Sequence, residues 1–522
     1  MLFNSVVFLF AFLPIVYLIG LVLSKVLPSA LVFWLGAASL AFYMWWSVHD
    51  TIVLGVSILG NYAIGSYILS EQRSTQRFLA VAAGIAVNLS VLGYYKYAGF
   101  FCQNIGTLIN TQLPAVALAL PLGISFFTFT QIAFLVDCQK NKVSHNNFFD
   151  YFLFVSYFPH LIAGPIIHHN KIIPQFAQMH KKFGCGKYFS VGLTIFIIGL
   201  FKKVILADSI APYADRVFDQ VGPHAITFFE AWGGALAYTL QIYLDFSAYS
   251  DMAIGISYML GVRLPLNFYS PYKARNIIDF WRRWHISLSC FLRDYLYIPL
   301  GGNRLGRVRR HANLMITMLL GGLWHGANWT FVVWGGLHGL FLVVNHMFQS
   351  GVKGTVVERA LLTRAGHACS IAFTFFLVVV AWVYFRAADM AAANGVIQGM
   401  FGFNGFQVPD RWMSHFGNLS AILGSVGIET VPMDTYFGTK AQLAWTAALI
   451  AGVFWLPNTF DIMHRYAPAT LDEHAPQRTV VAREWTEWRP NIAWLSIIGA
   501  LGIAALWALF FSSESKFIYF NF

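Results

Sequence analysis

Charged residues are scarce in this 522-residue chain, in which Asp, Glu, Lys and Arg make up only 11% of the sequence. A soluble domain carries about 25%. Because 57% of the residues are hydrophobic and the mean hydropathy is +0.60, the composition indicates a polytopic membrane protein and not a set of soluble domains. Neither a disulfide framework nor a zinc site is indicated, since the five cysteines are scattered and form no CxxC pair.

The small amount of charge is unbalanced, with 34 Lys and Arg against 23 Asp and Glu. No basic run is combined with aromatic stacking positions on a soluble face, so we expect no nucleic-acid partner. The excess is expected to mark cytoplasmic loops that contact lipid headgroups, or a basic mouth for an anionic substrate. The N-terminus has no basic n-region and no small-residue cleavage site, and it is interpreted as a retained first span.

Apolar runs long enough to cross a bilayer, about 20 residues, recur along the chain. They are 3–24, 29–47, 51–70, 78–95, 113–137, 188–207, 225–245, 313–346, 366–386, 441–457 and 491–512. These runs predict an all-α polytopic membrane protein with about eleven spans, and the run 313–346 is long enough to bend or to hold two pieces. Basic residues in the short loops place the N-terminus outside and Arg73 and Arg77 in the cytoplasm.

Two stretches do not fit a simple span. The run 147–167 has lysines on both flanks and is interrupted by Pro159 and by Gly164-Pro165, which favours a re-entrant element. In 274–299, aromatic and aliphatic residues recur at three- and four-residue steps among arginines and aspartates. That pattern predicts an amphipathic helix at the membrane interface or in a re-entrant funnel.

Two histidines stand in unusual settings. His325 lies among apolar and small residues in LLGGLWHGANW, and His285 follows the sequence WRRW. A buried imidazole stays neutral and can take a proton from an attacking hydroxyl, which makes both residues candidate catalytic groups. The alternative for His325 is helix packing with a hydrogen bond across the bundle. His338 is a weaker candidate, because on a continuous helix it would face away from His325.

Other polar groups have competing interpretations. Asp245 and Asp251 belong to a polar block that either lines a substrate tunnel or orients a catalytic imidazole, or else breaks a helix. Arg282, Arg283 and Arg293 either anchor the interface or receive the phosphates of an acyl carrier. His160, His168 and His169 cluster near the re-entrant run, but without HExxH or Cys/His spacing they are interpreted as interfacial residues, and no metal site is expected.

Several longer motifs resemble the membrane-bound O-acyltransferase (MBOAT) family, and most closely its bacterial alginate O-acetylation (AlgI-like) branch. The matching segments are 94–97 (YYKY), 121–126 (PLGISF), 158–165 (FPHLIAGP), 201–203 (FKK), 243–253 (YLDFSAYSDMA), 279–289 (DFWRRWHISLS), 293–304 (RDYLYIPLGGNR) and 321–328 (GGLWHGAN). They occur in order over residues 1–390, which we assign to the catalytic membrane core. Residues 391–522 are assigned to C-terminal membrane segments and loops of the same domain.

The resemblance implies a ring of tilted helices around a central tunnel in the bacterial inner membrane, with His325 at the family's catalytic histidine position and His285 at its second polar position. It also implies acetyl-CoA as the cytoplasmic acyl donor, with no permanently bound cofactor. The acceptor is a periplasmic exopolysaccharide such as alginate or cellulose, reached directly or through an SGNH-type acetyltransferase or a secretion complex. His325 is then the general base, and Trp324, Asn328 and His285 are candidate oxyanion donors.

Other functions remain open at this stage. Within the same family, the chain could acetylate peptidoglycan or transfer D-alanine to teichoic acid as DltB-type members do. Outside enzymology, broken helices and buried acids are compatible with a transporter for an acyl donor or glycan. A non-catalytic scaffold for a polysaccharide secretion complex is the third class.

Overall fold

The structure is a computed structural model that describes residues 1–111, 113, 119–143, 146–219, 225–410, 424–425, 427–432, 439–471, 486–511 and 517–518. Helices dominate it. The helices of the first half are α1 Leu13–Val26, α2 Ala30–Met44, α3 Val48–Ser70, α4 Ser74–Leu92, α5 Ala98–Leu108, α6 Ile124–Gln139, α7 Phe148–Ser156, α8 Phe158–Leu161, α9 His169–Lys182, α10 Gly186–Phe201, α11 Asp208–Asp219 and α12 Phe228–Met259. The predicted all-α polytopic class is confirmed.

The second half continues the helical architecture. Its helices are α13 Ile277–Trp281, α14 Ile286–Leu292, α15 Gly306–His325, α16 Trp329–Val352, α17 Val356–Leu361, α18 Arg364–Arg386, α19 Met390–Met400, α20 Lys440–Trp455, α21 Thr459–Ile462 and α22 Ile492–Phe511. Short π-helical segments continue or link several of them, at Phe8–Phe12, Gly93–Tyr97, Lys202–Ala207 and Arg293–Tyr297. Single turns of 3₁₀ helix lie at Pro271–Lys273 and His464–Tyr466.

Seven helical stretches of the described chain are long and apolar enough to cross a membrane. They are Phe8–Val26, Val48–Ser70, Ser74–Leu108, Gly186–Asp219, Trp329–Val352, Arg364–Arg386 and Ile492–Phe511. Two shorter apolar helices, α2 and α6, come in addition. The predicted number of about eleven spans therefore stays a prediction.

Helix α12 forms the centre of the protein. It begins at a capping box, in which the Thr227 hydroxyl and the Glu230 carboxylate accept hydrogen bonds from backbone N–H groups. From Ala237 to Tyr258, Gln241 is the single residue that is not buried. Its neighbour α10 approaches so closely at Gly192 that an added Cβ would lie 2.5 Å from the Gly255 carbonyl oxygen. Small residues at such crossings let helix backbones meet in a membrane.

The C-terminal segments pack on the same body. Helix α22 contacts α10, and α20 contacts α11 and α12. The two strands, Phe406–Pro409 and Ile428–Val431, pair in parallel and are the exception to an otherwise helical chain in the described residues. These contacts agree with assigning residues 391–522 to the same domain as the core, although they do not test the boundary at residue 390.

The run 313–346 holds two pieces, as its length allowed, because α15 ends at His325 and α16 starts at Trp329 after a capping Asn328. Two other predicted segments differ from the structure. The stretch 274–299 is not one amphipathic helix: it forms α13, α14 and a π-helical turn, separated by non-helical residues 282–285. In the described part of the run 113–137, residues 119–123 are non-helical and α6 begins at Ile124, after Gly123 in a left-handed conformation (φ 72°).

The run 147–167 has the broken form that its prolines and glycine predicted. Helix α7 ends at Ser156, the single turn α8 follows, and residues 162–168 are non-helical. The backbone near Gly164 packs so tightly that an added Cβ would lie 2.7 Å from the Pro159 carbonyl oxygen. Residues 153–167 are buried throughout, so this irregular backbone is surrounded by protein and not by lipid.

Candidate active site

His325 is the last residue of α15, and its side chain is buried in a group of aromatic rings. Only 4% of the residue is exposed. Its ring centroid lies 5.0 Å from that of Trp334 and 5.1 Å from that of Phe385, both in edge-on arrangements. The helix stops here because Gly326 adopts an extended conformation (φ −162°, ψ 150°). A helix end therefore holds a buried imidazole in a mostly apolar environment.

The carbonyl groups at this helix end are satisfied from a distant part of the chain. Lys96 Nζ donates hydrogen bonds to the backbone oxygens of Trp324 (2.6 Å) and His325 (3.0 Å), and the Tyr97 hydroxyl donates to that of Leu323 (2.9 Å). The last carbonyls of a helix lack intrahelical partners, and a cation there also complements the helix dipole. Lys96 and Tyr97 thereby fix the end of α15 that carries His325.

Glycines bring α15 and α16 into backbone contact next to His325. A Cβ added to Gly322 would lie 3.1 Å from Gly335 Cα and still closer to the Phe331 carbonyl oxygen. A Cβ added to Gly335 would overlap the Met318 carbonyl oxygen in the same way. The glycines that the sequence places around His325 thus serve a close helix crossing.

His285 lies in the non-helical segment between α13 and α14. It is fully buried (0% exposed) and has a left-handed backbone conformation (φ 44°, ψ 53°), which is uncommon for a non-glycine residue. Its Nδ1 lies 3.1 Å from Asn267 Oδ1, and no residue that the structure describes makes a hydrogen bond to its Nε2. The prediction that His285 follows WRRW on a continuous helix is wrong, since the helix ends at Trp281.

The two histidines belong to one region. A continuous series of aromatic ring contacts joins His285 to His325, through Phe268, Trp284, Trp382 and Trp334. His338 was the weaker catalytic candidate because, on one continuous helix, it would face away from His325. The helix is not continuous, since α15 ends at His325 and α16 starts at Trp329, so that argument does not apply. The Trp334 ring lies 5.0 Å from His325 and 4.8 Å from His338, so one indole contacts both imidazoles.

A large cavity opens beside α15, and we call it the Arg282 cavity. Its volume is about 1150 Å³ with the open mouth included. Polar and charged lining groups come from Arg282, Arg293, Tyr297 and His346, and the remaining wall is largely apolar. Met318, seven residues before His325 on α15, forms part of the wall. Two arginines and a histidine at one apolar cavity are suited to a ligand that has both phosphate and apolar parts.

A smaller cavity, the Lys96 cavity, lies at the other end of α15. It encloses about 540 Å³ and is lined by Lys96, Trp324, Ser125 and the apolar segment 120–124, among others. The Trp324 ring stacks on Phe129 at 5.1 Å between centroids. Along α15, the Arg282 cavity is lined by Leu314, Thr317 and Met318, and the Lys96 cavity by Trp324, the residue before His325.

The two neighbouring arginines have different environments. Arg282 is exposed and lines the Arg282 cavity. Arg283 is only 5% exposed, and its Nε donates to Asp279 Oδ1 at 2.7 Å. Of the three arginines predicted to anchor the interface or to bind phosphate, Arg282 therefore faces a cavity, whereas Arg283 forms a salt bridge within the protein. Arg293 lines the same cavity but also donates to its neighbour Asp294 at 2.7 Å.

Three other predicted site residues have structural partners. Asn328 caps α16, since its Oδ1 accepts from Thr330 N (3.1 Å) and its Nδ2 donates to the Ala388 carbonyl oxygen (2.8 Å). Asp245 pairs with Lys203 (2.9 Å), and Asp251 pairs with Lys202 (2.9 Å).

Asp245 and Asp251 therefore anchor the π-helical segment Lys202–Ala207 to α12, and their described hydrogen bonds and salt bridges are with Lys202, Lys203, Thr459 and the backbone of Ile518 and not with a histidine. Helix α12 runs through both residues without interruption. The helix break that was one interpretation of this polar block is wrong. The buried ion pairs explain how charged residues are accommodated there.

The histidine cluster near the re-entrant run is held by hydrogen bonds. His160 Nε2 lies 2.8 Å from the Phe154 carbonyl oxygen, His169 Nδ1 lies 3.4 Å from Asp137 Oδ2, and His168 Nδ1 lies 3.3 Å from the Tyr295 hydroxyl. Within the described ranges, no group of three or more His, Cys, Asp or Glu side chains is arranged to hold a metal ion.

Residues 83–385, more than half of the chain, match the sequence model of the membrane-bound O-acyltransferase family, MBOAT. The chain belongs to the MBOAT family. It is 38% identical over its whole length to a peptidoglycan O-acetyltransferase of Helicobacter pylori, covering 98% of that protein. It is 36% identical over its whole length to a probable alginate O-acetylase AlgI of Pseudomonas syringae, covering 100% of that protein.

A more distant MBOAT relative is a teichoic acid D-alanyltransferase of Streptococcus thermophilus, which is 25% identical over 43% of this chain and 56% of its own length. Family membership and these relatives make the chain a membrane-bound O-acyltransferase of the AlgI-like branch, as its motifs indicated. The prediction that the chain is an enzyme is therefore confirmed, and it is favoured over the transporter and the non-catalytic scaffold.

Sequence reasoning missed two residues of this site. Lys96 was noted only as part of the YYKY segment, and nothing in the sequence shows that it reaches a helix end 228 residues away. Asn267, which contacts His285, lies in a segment without a recognisable motif.

Proposed function

We propose that this MBOAT protein transfers an acetyl group from cytoplasmic acetyl-CoA, across the bacterial inner membrane, to a hydroxyl of a periplasmic polysaccharide such as alginate or cellulose. Delivery to the polymer is direct or passes through an SGNH-type acetyltransferase or a secretion complex. The observation that carries the proposal is His325, which is buried at the end of α15, directly after Trp324 of the Lys96 cavity and seven residues after Met318 of the Arg282 cavity.

The Arg282 cavity is the proposed donor site. Its arginines suit the phosphates of coenzyme A, because guanidinium groups form paired hydrogen bonds to phosphate oxygens. Basic residues are enriched on the cytoplasmic side of membrane proteins, and the first turns of α15 contain Arg307, Arg309 and Arg310. This supports an opening of the Arg282 cavity toward the cytoplasm.

The proposed reaction uses His325 as a general base. The imidazole takes the proton of the acceptor hydroxyl while the hydroxyl oxygen forms a bond to the acyl carbon. The carbon–sulfur bond then breaks, and the proton on His325 passes to the departing thiolate. A positioned base of this kind contributes about 10²–10⁴-fold to a rate. Burial in an aromatic surround favours the neutral imidazole that a base requires.

The Lys96 cavity is the proposed acceptor side. It lies at the far end of α15 from the arginines at its N-terminus, and it touches the residue before His325. A hydroxyl that entered from this side would approach His325 from the face opposite the donor. This arrangement would let one imidazole join a cytoplasmic thioester and an outer acceptor without either molecule crossing the bilayer.

Peptidoglycan is the second candidate acceptor, and the similarity over the full length to a peptidoglycan O-acetyltransferase favours it specifically. Transfer of D-alanine to teichoic acid has weaker support, because that relative matches less than half of the chain.

The experiment is to supply labelled acetyl-CoA to the purified protein with its SGNH-type partner and either uronic-acid or muramyl oligosaccharides. Label on the uronic-acid chains supports the first acceptor, and label on the muramyl chains supports the second. Transfer from a D-alanyl carrier protein, with none from acetyl-CoA, would overturn the proposed donor.

A further inference from the structure

We propose that Asn267 is a positioning residue that holds His285 in one tautomer, with its proton on Nδ1, so that Nε2 acts as a hydrogen-bond acceptor in the active site. The inference deepens the proposed function and rests on it. It also reverses the expectation that His285 donates a hydrogen bond to the oxyanion.

The orientation of the Asn267 side chain is determined by its neighbours. Its Oδ1 accepts from the backbone N–H of Ser287 (3.3 Å) and from the Ser287 hydroxyl (2.9 Å), while its Nδ2 donates to Ser250 Oγ (3.1 Å). A backbone N–H can only donate, so the atom facing Ser287 is the oxygen and not the nitrogen. The same oxygen faces His285 Nδ1 at 3.1 Å.

The tautomer of His285 follows from this geometry. Because Asn267 Oδ1 has no hydrogen to give, His285 Nδ1 must carry the proton of that hydrogen bond. A neutral imidazole has one N–H group, so Nε2 carries a lone pair. No described residue makes a hydrogen bond to this nitrogen, although the side chain is 0% exposed. A buried acceptor without a partner is costly, and a ligand that donates a hydrogen bond would satisfy it.

Backbone hydrogen bonds on both sides of His285 hold this arrangement. Ile286 N donates to the Asn267 carbonyl oxygen and Tyr269 N donates to that of Arg283, each at 2.9 Å. The Phe246 ring meets the imidazole edge-on at 4.8 Å between centroids. The left-handed backbone of His285 is thus fixed by surrounding contacts, as strained residues at functional sites often are.

The ligand of Nε2 is therefore a hydrogen-bond donor. At the reacting atoms the acceptor hydroxyl can donate, whereas the thioester carbonyl and the oxyanion formed from it cannot. Because the attacking hydroxyl has one hydrogen and gives it to His325, we assign to His285 Nε2 the hydrogen bond of a second hydroxyl of the acceptor sugar, which would orient the acceptor for attack. Asn267 acts only through His285.

The first test compares His285→Gln with His285→Asn. Glutamine places an amide group near the position of Nε2, whereas asparagine reaches only the position of Nδ1 and keeps the contact with Asn267. Asparagine tolerates the left-handed conformation better than glutamine, so backbone strain would favour His285→Asn. We expect kcat of His285→Gln to be at least about tenfold higher than that of His285→Asn. Equal values, or a more active His285→Asn, would overturn the proposal.

The second test changes Asn267. Asn267→Asp keeps an acceptor for His285 Nδ1 and is expected to retain kcat within about fivefold. Asn267→Leu removes the acceptor and is expected to lower kcat at least tenfold with little change in the donor KM. Thermal unfolding of both variants checks the fold. If Asn267→Leu folds normally and matches Asn267→Asp in kcat, the positioning role is wrong.

The tautomer itself can be observed. Ring ¹⁵N chemical shifts of ¹⁵N-histidine-labelled protein distinguish a protonated from an unprotonated Nε2, and the His285→Gln spectrum identifies the signals of His285. We expect an unprotonated Nε2 in wild type, and a protonated one would contradict the assignment. Failure of the proposed function would look different: the wild-type protein would then transfer no acetyl group from acetyl-CoA, whatever the tautomer of His285.

Discussion

Two adjacent glycines of α16 provide a sharp test of how the active site is built. A Cβ at Gly335 would lie 3.2 Å from Gly322 Cα and would overlap the Met318 carbonyl oxygen, and both are backbone atoms that no rotamer change can move. A Cβ at Gly336 would meet only Leu319 Cδ2 at 3.5 Å, an ordinary contact. Gly335→Ala must therefore separate α15 from α16, whereas Gly336→Ala need not move either helix.

The expected magnitudes follow from these contacts. Overpacking of a close contact costs about 1–3 kcal/mol, so Gly335→Ala should unfold at a lower temperature than wild type. It should also lose acetyl transfer, because a shift of α15 moves His325, which is the last residue of that helix. Gly336→Ala should be neutral or stabilised by up to about 1 kcal/mol, since alanine is the better helix former. Thermal unfolding in detergent and acetyl-transfer rates provide the comparison. Equal stability and equal activity of the two variants would refute the packing argument.

The other predictions concern cations near the site. Lys96→Met leaves the carbonyl oxygens at the end of α15 without their donor and should lower kcat at least about tenfold, whereas Lys96→Arg should restore part of it. Arg282→Ala should raise the KM for acetyl-CoA about tenfold, equivalent to about 1.4 kcal/mol, with unchanged stability. Arg283→Ala leaves Asp279 without its partner and should instead lower the stability by about 3 kcal/mol, with an unchanged KM.

The helical membrane class could be predicted from the sequence because it depends on overall composition. A chain rich in apolar residues and poor in charge enters the bilayer, where backbone N–H and C=O groups have no water to bind and must be hydrogen-bonded within helices. Helix ends were predictable where a local signal existed, as at Pro159 and Gly164 in the re-entrant run. The break after His325 was predicted only as one of two alternatives for the run 313–346. The residue that starts the next helix, Asn328, is a single polar cap within a mostly apolar run and is a weak signal in the sequence.

The stretch 274–299 shows where periodicity fails. Its three- and four-residue spacing is real, but the backbone leaves the helix at residues 282–285, where Tyr269 N and Ile286 N form bonds between two chain segments. Such pairing between segments overrides local propensity. It also decides the environment of His285, which a single amphipathic helix would have placed at the interface.

The candidate site could be predicted only as far as its histidines. The glycines around His325 and the polar neighbours of His285 marked both as unusual. The partners that fix them, Lys96 and Asn267, are brought in by tertiary contacts across 228 and 18 residues, and no local pattern encodes such contacts. At Asp245 and Asp251 the sequence indicated buried acids but not their partners, which are the lysines Lys203 and Lys202, and their role in a substrate tunnel stays a prediction.

The role of His325 as the base is tested most directly by acetyl transfer in a single turnover. Wild type and His325→Gln, matched for thermal unfolding, would be mixed with labelled acetyl-CoA and an excess of acceptor. Loss of a positioned base predicts a rate about 10²–10⁴-fold lower in the variant, with donor binding retained. A His325→Gln protein that transfers acetyl within a few-fold of the wild-type rate would contradict the assignment of His325 as the base.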